Sequence, residues 1–191
     1  MLGEISGRFF VYLSCPCYNV VMQDNNFISF ATRTKELCID WLVISAYLIC
    51  LFGASITYYF VVFGGVPAFS ELQSQLITTF ASVLVIVILF AYLDFKGGSV
   101  GKRVAGLKVY FTHRSFSRSL VRNSIKFLPW QIGHMAVIHG VYTRFDVISI
   151  VLSIISCILL VIMFLMGTMR YDRRHLGGMV AGTQVQLAKH R

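Results

Sequence analysis

The chain has 191 residues, 57% of them hydrophobic and 13% charged, with a formal net charge of +9. Apolar content this high excludes an ordinary soluble domain and points to membrane spans. The basic balance is then a matter of topology, because a nucleic-acid binder would show a basic face with a recognisable motif, and this sequence has none.

Residues 1–30 come first. Their apolar run "RFFVYLSCPC" is short and lacks the small-x-small cleavage site of a signal peptide, so the segment reads as cytoplasmic or interfacial. Cys15-Pro-Cys17 has no second ligand pair to complete a metal site. The other cysteines, Cys38, Cys50 and Cys157, lie in apolar runs, where cysteine is a small apolar residue.

Three spans follow from hydropathy, at residues 37–63, 72–93 and 147–169. Each reaches the roughly 20 residues that a helix needs to cross a hydrocarbon layer of about 30 Å. Their apolar residues go all the way round rather than forming one stripe, as lipid requires.

Residues 97–111, "GGSVGKRVAGLKVYF", imitate a phosphate-binding loop. The spacing fails, since Lys96 stands where the first glycine belongs and Arg103 replaces the Ser/Thr that would hold magnesium. No nucleotide site is expected. The glycines are expected to end a helix and turn the chain. The cations of the Gly101-Lys102-Arg103 motif are expected to sit at anionic headgroups. Part of this stretch recurs: "VAGLKVYF" at 104–111 reappears as "VAGTQVQL" at 180–187, each after a basic cluster. The alternation in both suits a short strand, so the two segments are expected to pair beneath the membrane.

Residues 123–142, "NSIKFLPWQIGHMAVIHGVY", have span length but carry Lys126, Pro129, His134 and His139. They could span, buried against neighbours, or lie at the interface, and topology favours a crossing. The loop "GGVPAFSELQSQ" has no Lys or Arg, whereas Lys96, Lys102, Arg103, Lys108, Arg114, Arg118 and Arg122 follow the second span. The tail is basic as well, through Arg170, Arg173, Arg174, Lys189 and Arg191. Both clusters lie inside only if two crossings separate them, which makes 123–142 the third crossing; Arg144 in the outer turn is the opposing signal. The expected fold is an all-α membrane protein, a four-helix transmembrane bundle with an atypical third helix and a small cytoplasmic β element. Both termini are cytoplasmic in this reading. The membrane domain covers residues 31–187 and leaves a tail at 188–191.

Four ordered blocks, "FATRTKELCIDWLV", "GGSVGKRVAGLKV", "SLVRNSIKFLPW" and "RRHLGGMVAGTQV", resemble those of the RDD family of integral membrane proteins across roughly residues 27–187. Arg33 and Asp40 match its first block, Lys102 and Arg103 the second, Arg122 and Asn123 the third, and Ala181-Gly182-Thr183 the fourth. Two positions depart from the pattern. Gly178 stands where the family usually has Asp, and Lys126 where many members carry one. The resemblance implies a bacterial inner (plasma) membrane protein. Some members resemble transport components, with sodium/proton exchange suggested for certain of them, while others look like partners or assembly factors of membrane complexes.

Asp40 is the strongest single residue, because a carboxylate within a membrane helix is costly and marks either a functional site or an ion pair. Arg122 and Lys126, four apart and on one face, are its expected partners. Arg33 lies two turns away, about 10 Å along the axis, and is expected to reach lipid phosphate or a loop. His134 and His139, five apart, fall on different faces and read as polar partners rather than a proton relay. No Ser/His/Asp, Cys/His or HExxH pattern is present, so no catalytic, cofactor or metal residue is assigned and no enzyme is expected. The favoured reading is a transport-related role for an ion or small solute, the alternative a non-catalytic scaffold subunit of a membrane complex. Expected partners are anionic lipid headgroups and a second copy or another membrane protein, with no nucleic acid.

Overall fold

The computed structural model describes residues 28–169 and 174–188. Most of the N-terminal segment, and Arg170, Arg173, Lys189 and Arg191, lie outside the described residues.

Helix α1, Phe30–Phe63, starts at Ser29, whose side chain accepts the Thr32 backbone N–H at 3.1 Å, and ends at Gly64 in the left-handed conformation. The cap explains why the helix begins seven residues before the apolar run. At 1.5 Å per residue α1 is about 51 Å long, more than the hydrocarbon layer demands. Its first turns therefore stand outside the layer and carry polar groups. Helix α2, Glu71–Thr78, opens on a capping box in which Ser70 and Gln73 satisfy each other's backbone N–H. It continues through a π-helical segment, Thr79–Leu84, into α3, Val85–Phe95. The Tyr47 hydroxyl of α1 donates to the Ala81 carbonyl inside that segment.

A turn through Gly97 and Gly98, with φ of 116° and 153°, leads to the short helix α4, Val100–Val104. The stretch with the glycines and cations is thus a turn, a short helix where only a turn was expected, and the strand that its alternation suggested. Strand β1, Leu107–Phe111, precedes α5, Phe116–Thr143, and α6, Val147–Met169. Helix α7, Leu176–Val180, and strand β2, Thr183–Leu187, complete the described chain. The two strands pair antiparallel, with Leu107 opposite Leu187 and Val109 opposite Val185. Each strand is the last five residues of one copy of the recurring octapeptide.

Among the described residues three stretches are long and apolar enough to cross a membrane: Phe30–Phe63, Glu71–Val104 and Val147–Met169. Helix α5 has the length, 28 residues, without that degree of apolarity, and it packs against both α3 and α6. Its buried Pro129 has no N–H to give, and its carbonyl accepts the Ser156 hydroxyl of α6 at 2.7 Å. The main apolar core joins Ile44, Val83, Ile86, Val87, Phe90 and Phe127 from α1, the π segment, α3 and α5. A second, smaller core lies under the strands and holds Ile28, Leu107, Val109 and Val185. The outer faces of α1 and α6 are almost wholly apolar and exposed, as a lipid-facing surface must be.

Candidate functional site: a buried charge cluster

The polar residues between the two cores come from four elements. Along α1, Arg33, Glu36, Asp40 and Ile44 form the buried stripe, at spacings of three and four that keep them on one helical face. Asp94 sits on the last turn of α3, Lys102 on α4, and Arg122, Asn123 and Lys126 on α5. Asp94 is 0% exposed and Lys102 1%.

The contacts form a chain. Arg33 Nη1 reaches Glu36 Oε2 at 2.9 Å, and Glu36 Oε1 lies 3.4 Å from Lys102 Nζ. The same ammonium is 3.0 Å from Asp94 Oδ1 and donates to Ser99 Oγ at 3.1 Å. Asp94 Oδ2 meets Arg122 Nε at 3.3 Å and accepts from Asn123 Nδ2 at 3.3 Å. Asp40 holds α4 instead. Its Oδ2 accepts the Ser99 hydroxyl at 2.7 Å and its Oδ1 the Gly101 backbone N–H at 2.8 Å, with Lys126 Nζ at 3.7 Å. Arg122 Nη1 donates to Thr183 Oγ1 at 2.8 Å, which ties the cluster to β2.

Among the described residues, four cations thus face three carboxylates. Moving any one of these ions out of water costs several kcal/mol even after relaxation, so a buried set persists only where each charge is paired and hydrogen-bonded. Each carboxylate here meets both conditions. The approach of the backbones is as tight as the charges require. A Cβ at Gly101 would lie 2.2 Å from Glu36 O and 2.7 Å from Asp40 Oδ1, and one at Gly177 would lie 2.4 Å from Arg122 O. These glycines of the second and fourth sequence blocks are where α4 and α7 touch α1 and α5.

Several expectations are corrected by this geometry. Lys102 is not at headgroups; it is the buried hub between Glu36 and Asp94, because those carboxylates offer a better partner than solvent. Arg33 reaches neither lipid nor a loop but pairs with Glu36 one turn along. Arg122 is drawn to Asp94, and Lys126 alone of the expected pair approaches Asp40. Arg103 stays exposed, with its Nε donating to Gly98 O at 3.0 Å. The sequence reading missed Glu36 and Asp94. A signal for the second was available: Asp94 is the lone carboxylate between Glu71 and Asp146, in a stretch dense with Lys and Arg.

His175, at the start of α7, lies beside the cluster. Burial, then the nearby Arg122, Lys126 and Lys102 charges, push its imidazole down to about 2. The folded state therefore keeps it neutral, while an unfolded chain protonates it below its ordinary value of about 6.5. The stability linked to His175 is full above that value and is lost as pH falls. The melting temperature in detergent should drop between pH 7.5 and 5.5, and His175→Asn should flatten that slope; an unchanged slope would mean that other groups set it. At the opposite end of α5, His139 Nδ1 sits 2.7 Å from Glu71 and its Nε2 3.4 Å from Asp146. His134 packs instead against Trp130, with ring centroids 5.6 Å apart.

Spanning apolar helices, a charge cluster buried at one end and a two-stranded clasp over it define a polytopic α-helical membrane protein. The sequence model of the RDD family matches residues 29–182, from the α1 cap to the turn before β2. The chain belongs to the RDD family. Comparisons with curated proteins and with solved structures gave no match.

Proposed function

We propose that this chain is a non-catalytic accessory or scaffold subunit of a membrane protein complex, held in shape by the buried cluster. The observation that carries the reading is the closure of that cluster: Glu36, Asp40 and Asp94 are each engaged by a cation and by further hydrogen-bond donors. A carboxylate so committed holds helices together rather than exchanging an ion. The long exposed apolar faces of α1 and α6 give a partner, or a second copy, surface to pack on. Purification from native membranes in mild detergent tests this. A stoichiometric membrane partner or a homo-oligomer is the expected result, and a lone monomer would remove the reading.

One observation favours the second reading, a transport-related role. Lys126 Nζ stands 3.7 Å from Asp40, beyond hydrogen-bond distance, and its side chain keeps 20% exposure. Asp40 is thus the carboxylate most easily released to a passing ion. Under the scaffold reading Asp40→Asn lowers thermal stability in detergent and leaves vesicles with no flux to lose. If the variant instead keeps its stability but abolishes a sodium or proton flux that the unaltered protein supports, the transport reading takes over.

The proposed topology has α5 as the third of four crossings and both termini in the cytoplasm, in a bacterial inner membrane. It rests on the basic residues on both sides of the α5–α6 pair. Single cysteines at Thr143 and Gln186, in a background lacking the native ones, should label from opposite sides. Labelling of both from one side would remove the α5 crossing.

A further inference from the structure

Three cations near the cluster take no part in it. Lys96, Arg103 and Lys108 line a pocket of about 250 Å³, closed by Gly97, Leu107 and Ala188. Among the described residues none of the three meets a carboxylate within 4 Å. This sets them apart from Lys102, one residue from Arg103, whose charge is spent on Glu36 and Asp94.

The walls are fixed by backbone hydrogen bonds. Gly97 O accepts from Val109 N at 2.8 Å, and Gly106 O from Ala188 N at 2.7 Å. The positive φ of Gly97 lets the turn close against the Lys108 stem, whose Cε would lie 3.5 Å from a Cβ at that position. The Arg103 guanidinium is anchored through Nε to Gly98 O, which leaves its terminal nitrogens free to form the planar fork that suits phosphate. Lys96 Nζ lies 4.6 Å above the ring of Tyr92, an exposed aromatic one turn inside the end of α3. Tyrosines at that depth mark the boundary between hydrocarbon and headgroups. The pocket therefore opens at headgroup level, on the face of the membrane that carries the cluster.

We propose that Lys96, Arg103 and Lys108 bind a phosphate group in this pocket. Three cations that meet no carboxylate within 4 Å among the described residues select an anion, and the arginine fork selects an oxyanion with several acceptors. The volume is below the roughly 300–1,000 Å³ of drug-sized sites, which suits a headgroup-sized ligand and not a dinucleotide. Two sources present this chemistry: an anionic phospholipid beside Tyr92, and a small soluble phosphate ester. The site is independent of the role of Asp40, and its failure leaves the scaffold reading untouched.

The test uses the full chain in neutral detergent micelles, titrated separately with phosphatidylglycerol, phosphatidylcholine and glycerol 1-phosphate, with binding followed by native mass spectrometry. The triple variant Lys96→Gln, Arg103→Gln, Lys108→Gln should lose affinity for the bound phosphate by roughly a hundredfold, from three headgroup-level charges. The charge-keeping triple Lys96→Arg, Arg103→Lys, Lys108→Arg should retain most of it. All three residues are exposed, so the variants should melt with the unaltered protein in lipid-free micelles; if the triple does not, Arg103→Gln alone replaces it. Loss confined to phosphatidylglycerol assigns the site to lipid, and loss confined to glycerol 1-phosphate assigns it to a soluble ester. Equal binding of both phosphates by the neutral variant and the unaltered protein, or a loss of phosphatidylcholine binding as large as that of either phosphate, overturns the proposal.

Discussion

Asp94→Asn is expected to be the most damaging single substitution in the protein. The asparagine is nearly isosteric, so packing is kept and only the charge is lost. Lys102 and Arg122, both almost fully buried, then face each other with their shared counter-ion gone. Removing one partner of a buried pair typically costs about 3–5 kcal/mol, because the stranded charge has lost its compensation. A protein of ordinary marginal stability loses a large share of its reserve at that cost. The expected readouts are poor accumulation in membranes and a clear fall in melting temperature in detergent. Adding Lys102→Met to Asp94→Asn removes the stranded ammonium, and the double variant should recover part of the loss. Strictly additive effects of the two substitutions would show that the residues are not coupled.

Gly101→Ala is expected to come second, by a steric route. The added Cβ would sit 2.2 Å from Glu36 O, which belongs to the backbone of α1 and cannot swing aside. Helix α4 must then lift from α1, and the Gly101 N–H to Asp40 bond, 2.8 Å in the native arrangement, opens with it. Overpacking typically costs about 1–3 kcal/mol, and the lost charge-assisted hydrogen bond adds to it. Gly53→Ala on the same helix α1 is the matched control, since its Cβ would meet nothing within 4 Å and alanine favours the helix. The melting temperature should fall for Gly101→Ala and hold or rise for Gly53→Ala. Equal behaviour of the two would show that α4 does not rest on α1 as closely as described.

The parts of this architecture that were legible in the sequence are those governed by local pattern. Hydropathy located the three apolar spans because lipid exposure forces apolar residues on every side of a helix. The repeated octapeptide located both strands of the sheet. The start of α1 was misplaced because its polar first turns carry a cap and an ion pair, and these do not register in an apolar count. The charge cluster was half legible. Asp40 stood out as a carboxylate inside an apolar run, and the face shared by Arg122 and Lys126 followed from helical spacing. Lys102 was misread, because a lysine among glycines and other cations looks solvated until Asp94 and Glu36 are brought to it from other helices. Partners so far apart in the chain leave no local trace. That is also why the choice of Arg122 for Asp94, with Lys126 left to Asp40, could not be made from spacing alone.

The clasp between β1 and β2 fixes the order in which the molecule can be finished. Strand β2 emerges from the ribosome only after α5 and α6, so β1 waits with a bare edge while two further helices are made and placed. During that interval Leu107 and Val109 lack the cover of Val185, and Arg122 lacks Thr183. Closing the sheet is the step that hides them all at once. A chain stopped before β2 therefore displays an open strand edge and a greasy patch, the features by which quality-control proteases recognise unfinished proteins. The last strand acts as a completion mark, and a copy that lacks it should be cleared from the membrane rather than accumulate beside intact ones.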